Sequence, residues 1–197
     1  MDLRRPILLI LLLSGYMVLS QDLTEFNRDR LNINEKGMLV LGTWAVGNIL
    51  VGGIQSFRTE GETRAFHQMN AGWNVVNLAI AGFGYYSALK GEMNLSMAGT
   101  LEEQFKMEKI LLFNAGLDLG YIGLGAYLNE RGKRDVNRAE QLRGFGKSIM
   151  MQGAFLFVFD ITMAWIHRTH YRNDLLPFLG DAKWSLGPSG FSFLLEF

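Results

Sequence analysis

Four apolar stretches, 37–54, 71–89, 110–128 and 148–166, constrain this chain most, because each is close to the roughly 20 residues that carry a helix across a bilayer. The charges fall between them. Lys90, Glu92, Glu102, Glu103, Lys106, Glu108 and Lys109 crowd the connection before the third stretch, which itself holds only Asp118. A soluble amphipathic helix would instead carry charge along one face throughout its length. A hydrophobic content of 49% and a mean hydropathy of +0.11 would suit either class, so the distribution decides for the membrane.

Balanced charge, 19 basic against 19 acidic residues, gives no field to attract nucleic acid. The absence of cysteine removes disulfides, thiolate metal sites, iron–sulfur clusters and cysteine nucleophiles. Arg4 and Arg5 before the apolar run 6–13, with Ser20 just ahead of Gln21, read as an export signal over 1–20, either cleaved or kept as an anchor. Both readings leave 21–36 as an external polar segment and 37–166 as one membrane bundle. Basic residues agree in part with that orientation, since Arg131, Lys133, Arg134, Arg138, Arg143 and Lys147 fall in a connection placed inside.

Short connections between the spans predict antiparallel neighbours. The fold class is therefore all-α, a four-transmembrane-helix antiparallel bundle, with a short C-terminal β-hairpin. That hairpin lies in an external tail over 167–197, where Gly187, Pro188, Ser189 and Gly190 form a turn between 182–186 and 191–197. A lone hairpin is only marginally stable, so Trp184, Phe191 and Phe193 are expected to lean on the bundle or the membrane. Asn70-Ala71-Gly72-Trp73-Asn74 and Asn114-Ala115-Gly116-Leu117-Asp118 match at a spacing of 44 residues, as a duplicated hairpin would. Glycines inside the spans, among them Gly116 and Gly120, point to close packing within the bundle, with a dimer face as the alternative.

A carboxylate inside a span is a functional candidate by default. Counting at about 1.5 Å per residue puts Asp118 about 12 Å and Asp160 about 9 Å from the outer ends of their stretches. They should meet. No Lys or Arg lies within any span, so the pair must hold a proton or a cation, or be reached by water. Asn48, Asn114 and Tyr121 are the candidate neutral ligands of such a site. Asn70, Asn74 and Asn77 share one helical stripe, Asn114, Asp118 and Tyr121 another, and Gln152 joins the inner half; both stripes should face inward. The bland alternative makes each acid a protonated strut fixing helix register.

The histidines are divided by topology, His67 inside and His167 and His170 outside, so no bis-histidine cofactor site can form across a core of about 30 Å. His167, His170 and Asp174 share a face, but surface histidines beside Arg168 and Arg172 are the expected account. No nucleophile–histidine–acid set, HExxH, P-loop or credible dinucleotide fingerprint is present. An aspartyl hydrolase built on the two acids is a minor reading.

The run from Asn27 through Arg28, Asp29, Arg30, Leu31, Asn32, Ile33, Asn34, Glu35, Lys36 and Gly37 to Met38, followed by Trp44 and Asn48, resembles an uncharacterised bacterial family of small exported four-helix membrane proteins. The resemblance implies a fold and no activity. The expected protein is a non-enzymatic multi-pass component of the bacterial inner membrane, with its C-terminus on the periplasmic side. It binds a small ligand or supports a membrane assembly. The alternative is a proton- or cation-coupled transporter component working through Asp118 and Asp160. Expected partners are the lipid bilayer, a membrane-protein partner or second copy, and a proton or small cation, with no cofactor and no metal. The binding residues are Asp118, Asp160, Asn48, Asn114, Tyr121, Asn74, Asn77 and Gln152.

Overall fold

The computed structural model describes the backbone of residues 4–177, 182–187 and 190–195, and the side chains of residues 23–177. Each of the four apolar stretches lies within one long helix: α1 (Arg4–Arg58), α2 (Gly61–Lys90), α3 (Met97–Arg131) and α4 (Ala139–His170), the last running into a π-helical turn at Tyr171–Leu175. The chain reverses between α1 and α2 at Gly61, whose φ of +59° is disfavoured for any residue with a Cβ. Ser96 caps α3 by accepting from Gly99 N–H at 3.2 Å.

Two helical hairpins, α1–α2 and α3–α4, join chiefly along α2 and α4. Glycine makes both seams narrow. A Cβ on Gly52 would come within 2.8 Å of the His67 carbonyl oxygen, and one on Gly153 within 2.8 Å of the Asp118 carbonyl oxygen. Gly125 and Gly146 face each other in the same way, and Gly144 abuts Glu62 and Ala65. The hairpins are also clamped by charge, with Glu62 3.0 Å from Arg143 Nε and 2.5 Å from Lys147 Nζ.

Gly116, Gly120 and Gly123 behave differently, since a Cβ at any of them meets nothing within 4 Å. The expectation that Gly116 and Gly120 pack inside the bundle is therefore corrected; they lie on its outer surface. Around them the exterior is apolar, with Phe113 68% and Trp165 71% exposed, while Asn70, Asn74, Asn77, Asp118, Gln152 and Asp160 are buried. An apolar skin over a polar interior is a membrane arrangement, the reverse of what water selects. Three helical segments, Leu23–Arg58, Met97–Arg131 and Ala139–Leu175, are long and apolar enough to cross a membrane.

One observation bears on the expected fold class and another corrects it. Firstly, α2 is not among the helices apolar enough to cross a membrane, because it turns three buried asparagines inward and its hydropathy falls with them. It nevertheless returns the chain from the end of α1 at Arg58 to the end of the bundle where α3 begins. Secondly, the fold is all-helical and the tail adds no layer to it. Ala182–Gly187 and Gly190–Leu195 form an antiparallel ladder only with each other, in a register from Ala182 opposite Leu195 to Gly187 opposite Gly190. The expected seating of Trp184, Phe191 and Phe193 on the bundle lies outside the described side chains.

Candidate functional site

Asp118 and Asp160 meet. Gly153 lets α4 approach the α3 backbone at Asp118, and the two carboxyl groups are close enough to act on each other across that seam. Both side chains are buried, and Asp118 Oδ2 has no hydrogen-bond partner. A hydrogen bond between two carboxyl groups requires a proton on one of them. A hydrogen bond across this pair would therefore hold one proton, with Asp118 Oδ2 left without a partner.

Of the expected neutral ligands, Asn48 is engaged elsewhere. Asn48 belongs to a second cluster centred on Asn70, whose Nδ2 donates to Asn48 Oδ1 at 2.9 Å. Asn70 Oδ1 accepts from Gln152 Nε2 at 2.5 Å and from Asn74 Nδ2 at 3.4 Å, and Trp44 Nε1 donates to Gln152 Oε1 at 3.1 Å. Asn77 Nδ2 donates to Asn74 Oδ1 at 3.3 Å, so the asparagine stripe forms one chain of amides reaching α1, α2 and α4. Its buried amides satisfy each other, which lets three asparagines sit on one helix in the bundle interior. Tyr121 is half-buried and meets Trp73 edge-on with ring centroids 4.9 Å apart, and Asn114 is half-buried on the same face as Asp118.

A third polar layer, the outer layer of the expected orientation, closes the end of the bundle where α3 begins. Asn27, Arg30, Asn34, Thr100, Gln104, Glu108 and His167 are all buried there. Asn27 Nδ2 donates to Thr100 Oγ1 at 2.8 Å, Gln104 Nε2 to the His167 carbonyl at 3.0 Å, and Arg168 Nη1 to Glu108 Oε2 at 3.1 Å. His167 Nε2 lies 2.8 Å from Asn34 Oδ1, an acceptor, so that ring nitrogen carries the hydrogen. Gln104 Oε1 and His167 Nδ1 are left without partners.

The external histidines are thus not surface residues. His167 is fully buried, and His170 stacks on Phe26 at 4.3 Å while its Nδ1 lies 2.7 Å from Asp174 Oδ2. Nor is 21–36 a segment separate from the first helix, since α1 runs through it without a break. Sequence reasoning missed this layer, although Asn27, Arg30 and Asn34 recur at a helical period, as do Thr100, Gln104 and Glu108. Among the described residues no group of three or more His, Cys, Asp or Glu side chains is placed to hold a metal.

A model of a family of unknown function, DUF6992, matches residues 40–161. The chain belongs to this family. None of the curated proteins and none of the solved structures matches it. The DUF6992 match holds both acids and every member of the Asn70 cluster, whereas Asn27, Arg30, Asn34 and His167 of the outer layer fall beyond its ends.

Proposed function

We propose that this protein is a non-enzymatic multi-pass membrane protein whose working site is the Asp118–Asp160 pair, a binding site for a proton or a small cation. The reading rests on one observation, the contact of two buried carboxyl groups in apolar stretches that contain no Lys or Arg. Their hydrogen bond holds a proton between them, and the free Asp118 Oδ2 accepts a second proton or a cation. In this reading α2 is the fourth pass, stabilised in lipid by the internal pairing of its asparagines. The basic connection 129–147 faces the cytoplasm of a bacterial cell, the C-terminus faces the periplasm, and 1–20 directs export. The test is a thermal-stability titration in detergent with sodium, potassium and calcium, on the native chain and on Asp118→Asn and Asp160→Asn. A proton or cation site predicts a melting temperature that depends on pH or on one of the cations, and loss of that dependence in either variant. Flat, superimposable titrations would remove the reading.

A second reading, a scaffold or accessory subunit, is favoured by the glycine seams that pack Asp118 against Gly153. There the acids are a strut between α3 and α4. In that case Asp118→Asn, which keeps a hydrogen-bonding side chain, leaves all solution behaviour unchanged. A hydrolase would need a substrate-sized opening beside the pair, and the cavity at Arg30 and the apolar clefts along α1 lie elsewhere.

A further inference from the structure

The outer layer encloses a charge that the protein does not neutralise. Arg30 is 3% exposed, and its Nε donates to Asn27 Oδ1 at 3.3 Å. Among the described residues it has no ion-pair partner within 4.0 Å. Glu103, the acid that acts on it electrostatically, is engaged by Lys106 Nζ at 3.1 Å. A guanidinium carries five N–H donors in a fork suited to two oxygens of one anion, and a buried charge left unpaired is costly. Arg30 lines a cavity of about 370 Å³, within the range that holds small ligands.

The rest of the lining says what kind of anion would fit. Glu92 and Glu103 also line the cavity and, like Arg30, lie outside the apolar stretches, so a simple anion would be repelled by two carboxylates while satisfying one guanidinium. A group carrying both a phosphate and an amine satisfies all three. The other end is made by Met38, Met107, Leu111 and Met163. Met38 and Leu111 are the second residues of their apolar stretches, so this floor begins where the bilayer begins, and Arg30 lies about 10 Å beyond Gly37. The cavity is charged above and apolar below, as a lipid headgroup and its first methylenes are.

We propose that this cavity binds the headgroup of a zwitterionic aminophospholipid from the outer leaflet, its phosphate on Arg30 and its amine between Glu92 and Glu103. The proposal is independent of the acid pair and rests only on the membrane reading, which retention of the chain in carbonate-washed membranes tests separately. The experiment is native mass spectrometry of the full chain in detergent, titrated with phosphatidylethanolamine, phosphatidylglycerol and soluble glycerophosphoethanolamine. The native chain should retain one phosphatidylethanolamine in preference to phosphatidylglycerol. A charged hydrogen bond contributes about 1.5–3 kcal/mol, so Arg30→Gln should weaken retention by about tenfold or more. Glu103 is partly exposed and, among the described residues, its ion pair is with Lys106, so Glu103→Gln should fold normally and shift the preference toward phosphatidylglycerol. Equal retention of the two lipids by the native chain, or an unchanged preference in folded Glu103→Gln, would overturn the proposal even where Arg30→Gln fails to fold. Binding of glycerophosphoethanolamine as tight as that of the lipid would overturn the membrane source of the ligand.

Discussion

Asn70 is the side chain on which the interior amide cluster depends, and replacing it with alanine tests that role. The substitution removes two cross-helix hydrogen bonds, Asn70 Nδ2 to Asn48 Oδ1 and Gln152 Nε2 to Asn70 Oδ1, together with the weak contact from Asn74 Nδ2. Hydrogen bonds between membrane helices average about 0.6 kcal/mol and reach about 1.7. Two of them give about 1–3 kcal/mol. Gln152 is fully buried, so its orphaned amide pushes the loss toward the upper end. At roughly 2–4 °C per kcal/mol for a chain of this size, the melting temperature should fall by about 3–10 °C. Thermal unfolding in detergent, followed by circular dichroism, reads this directly. A double-mutant cycle with Gln152→Ala should show that the two losses do not add, because each removes the same bond. Strict additivity, or a loss in Asn70→Ala no larger than that of Asn114→Ala, would refute the reasoning.

Three further outcomes follow from the same geometry. Gly153→Val should destabilise strongly and reduce folded yield, since a Cβ there meets the Asp118 carbonyl oxygen at 2.8 Å, whereas Gly116→Ala, open on its outer side, should melt like the native chain. Glu62→Gln should lose both ion pairs to Arg143 and Lys147, lowering stability by up to about 1 kcal/mol each and flattening the dependence of melting temperature on salt. Gly61→Ala should cost about 1–2 kcal/mol from its left-handed backbone, with further loss from the Glu140 carboxylate that the new methyl would meet, read by the same unfolding assay.

The sequence carries the bundle because membrane physics is legible in one dimension. Uninterrupted apolar runs specify helices of bilayer length, and depth counting brings Asp118 to Asp160 without any knowledge of packing. The asparagine stripe is legible for the same reason, since Asn70, Asn74 and Asn77 share a face that lipid would not tolerate. What escapes is everything that inverts the rule linking polarity to exposure. The segment 27–36 looks like a solvated entry because it is full of charge, yet Arg30 and Asn34 are buried against α3 and α4. His167 looks exposed beside Arg168 and Arg172 and is wholly enclosed. Hydropathy also undervalues α2, since it counts inward asparagines as though they met lipid. Whether a glycine lies at a seam, as Gly153 does, or on the outer face, as Gly116 does, depends on which side of the helix the partner takes.

In the proposed site the Asp118 and Asp160 carboxyl groups share one proton inside the bundle. Infrared difference spectroscopy of the native chain against Asp118→Asn and Asp160→Asn, at neutral pH and in both water and deuterium oxide, tests it most directly. A shared proton gives one protonated carboxyl band that shifts on deuteration and is lost or displaced in both variants, because each acid depends on the other. A spectrum with no protonated carboxyl, or one whose band survives unchanged when either acid is replaced, would contradict it.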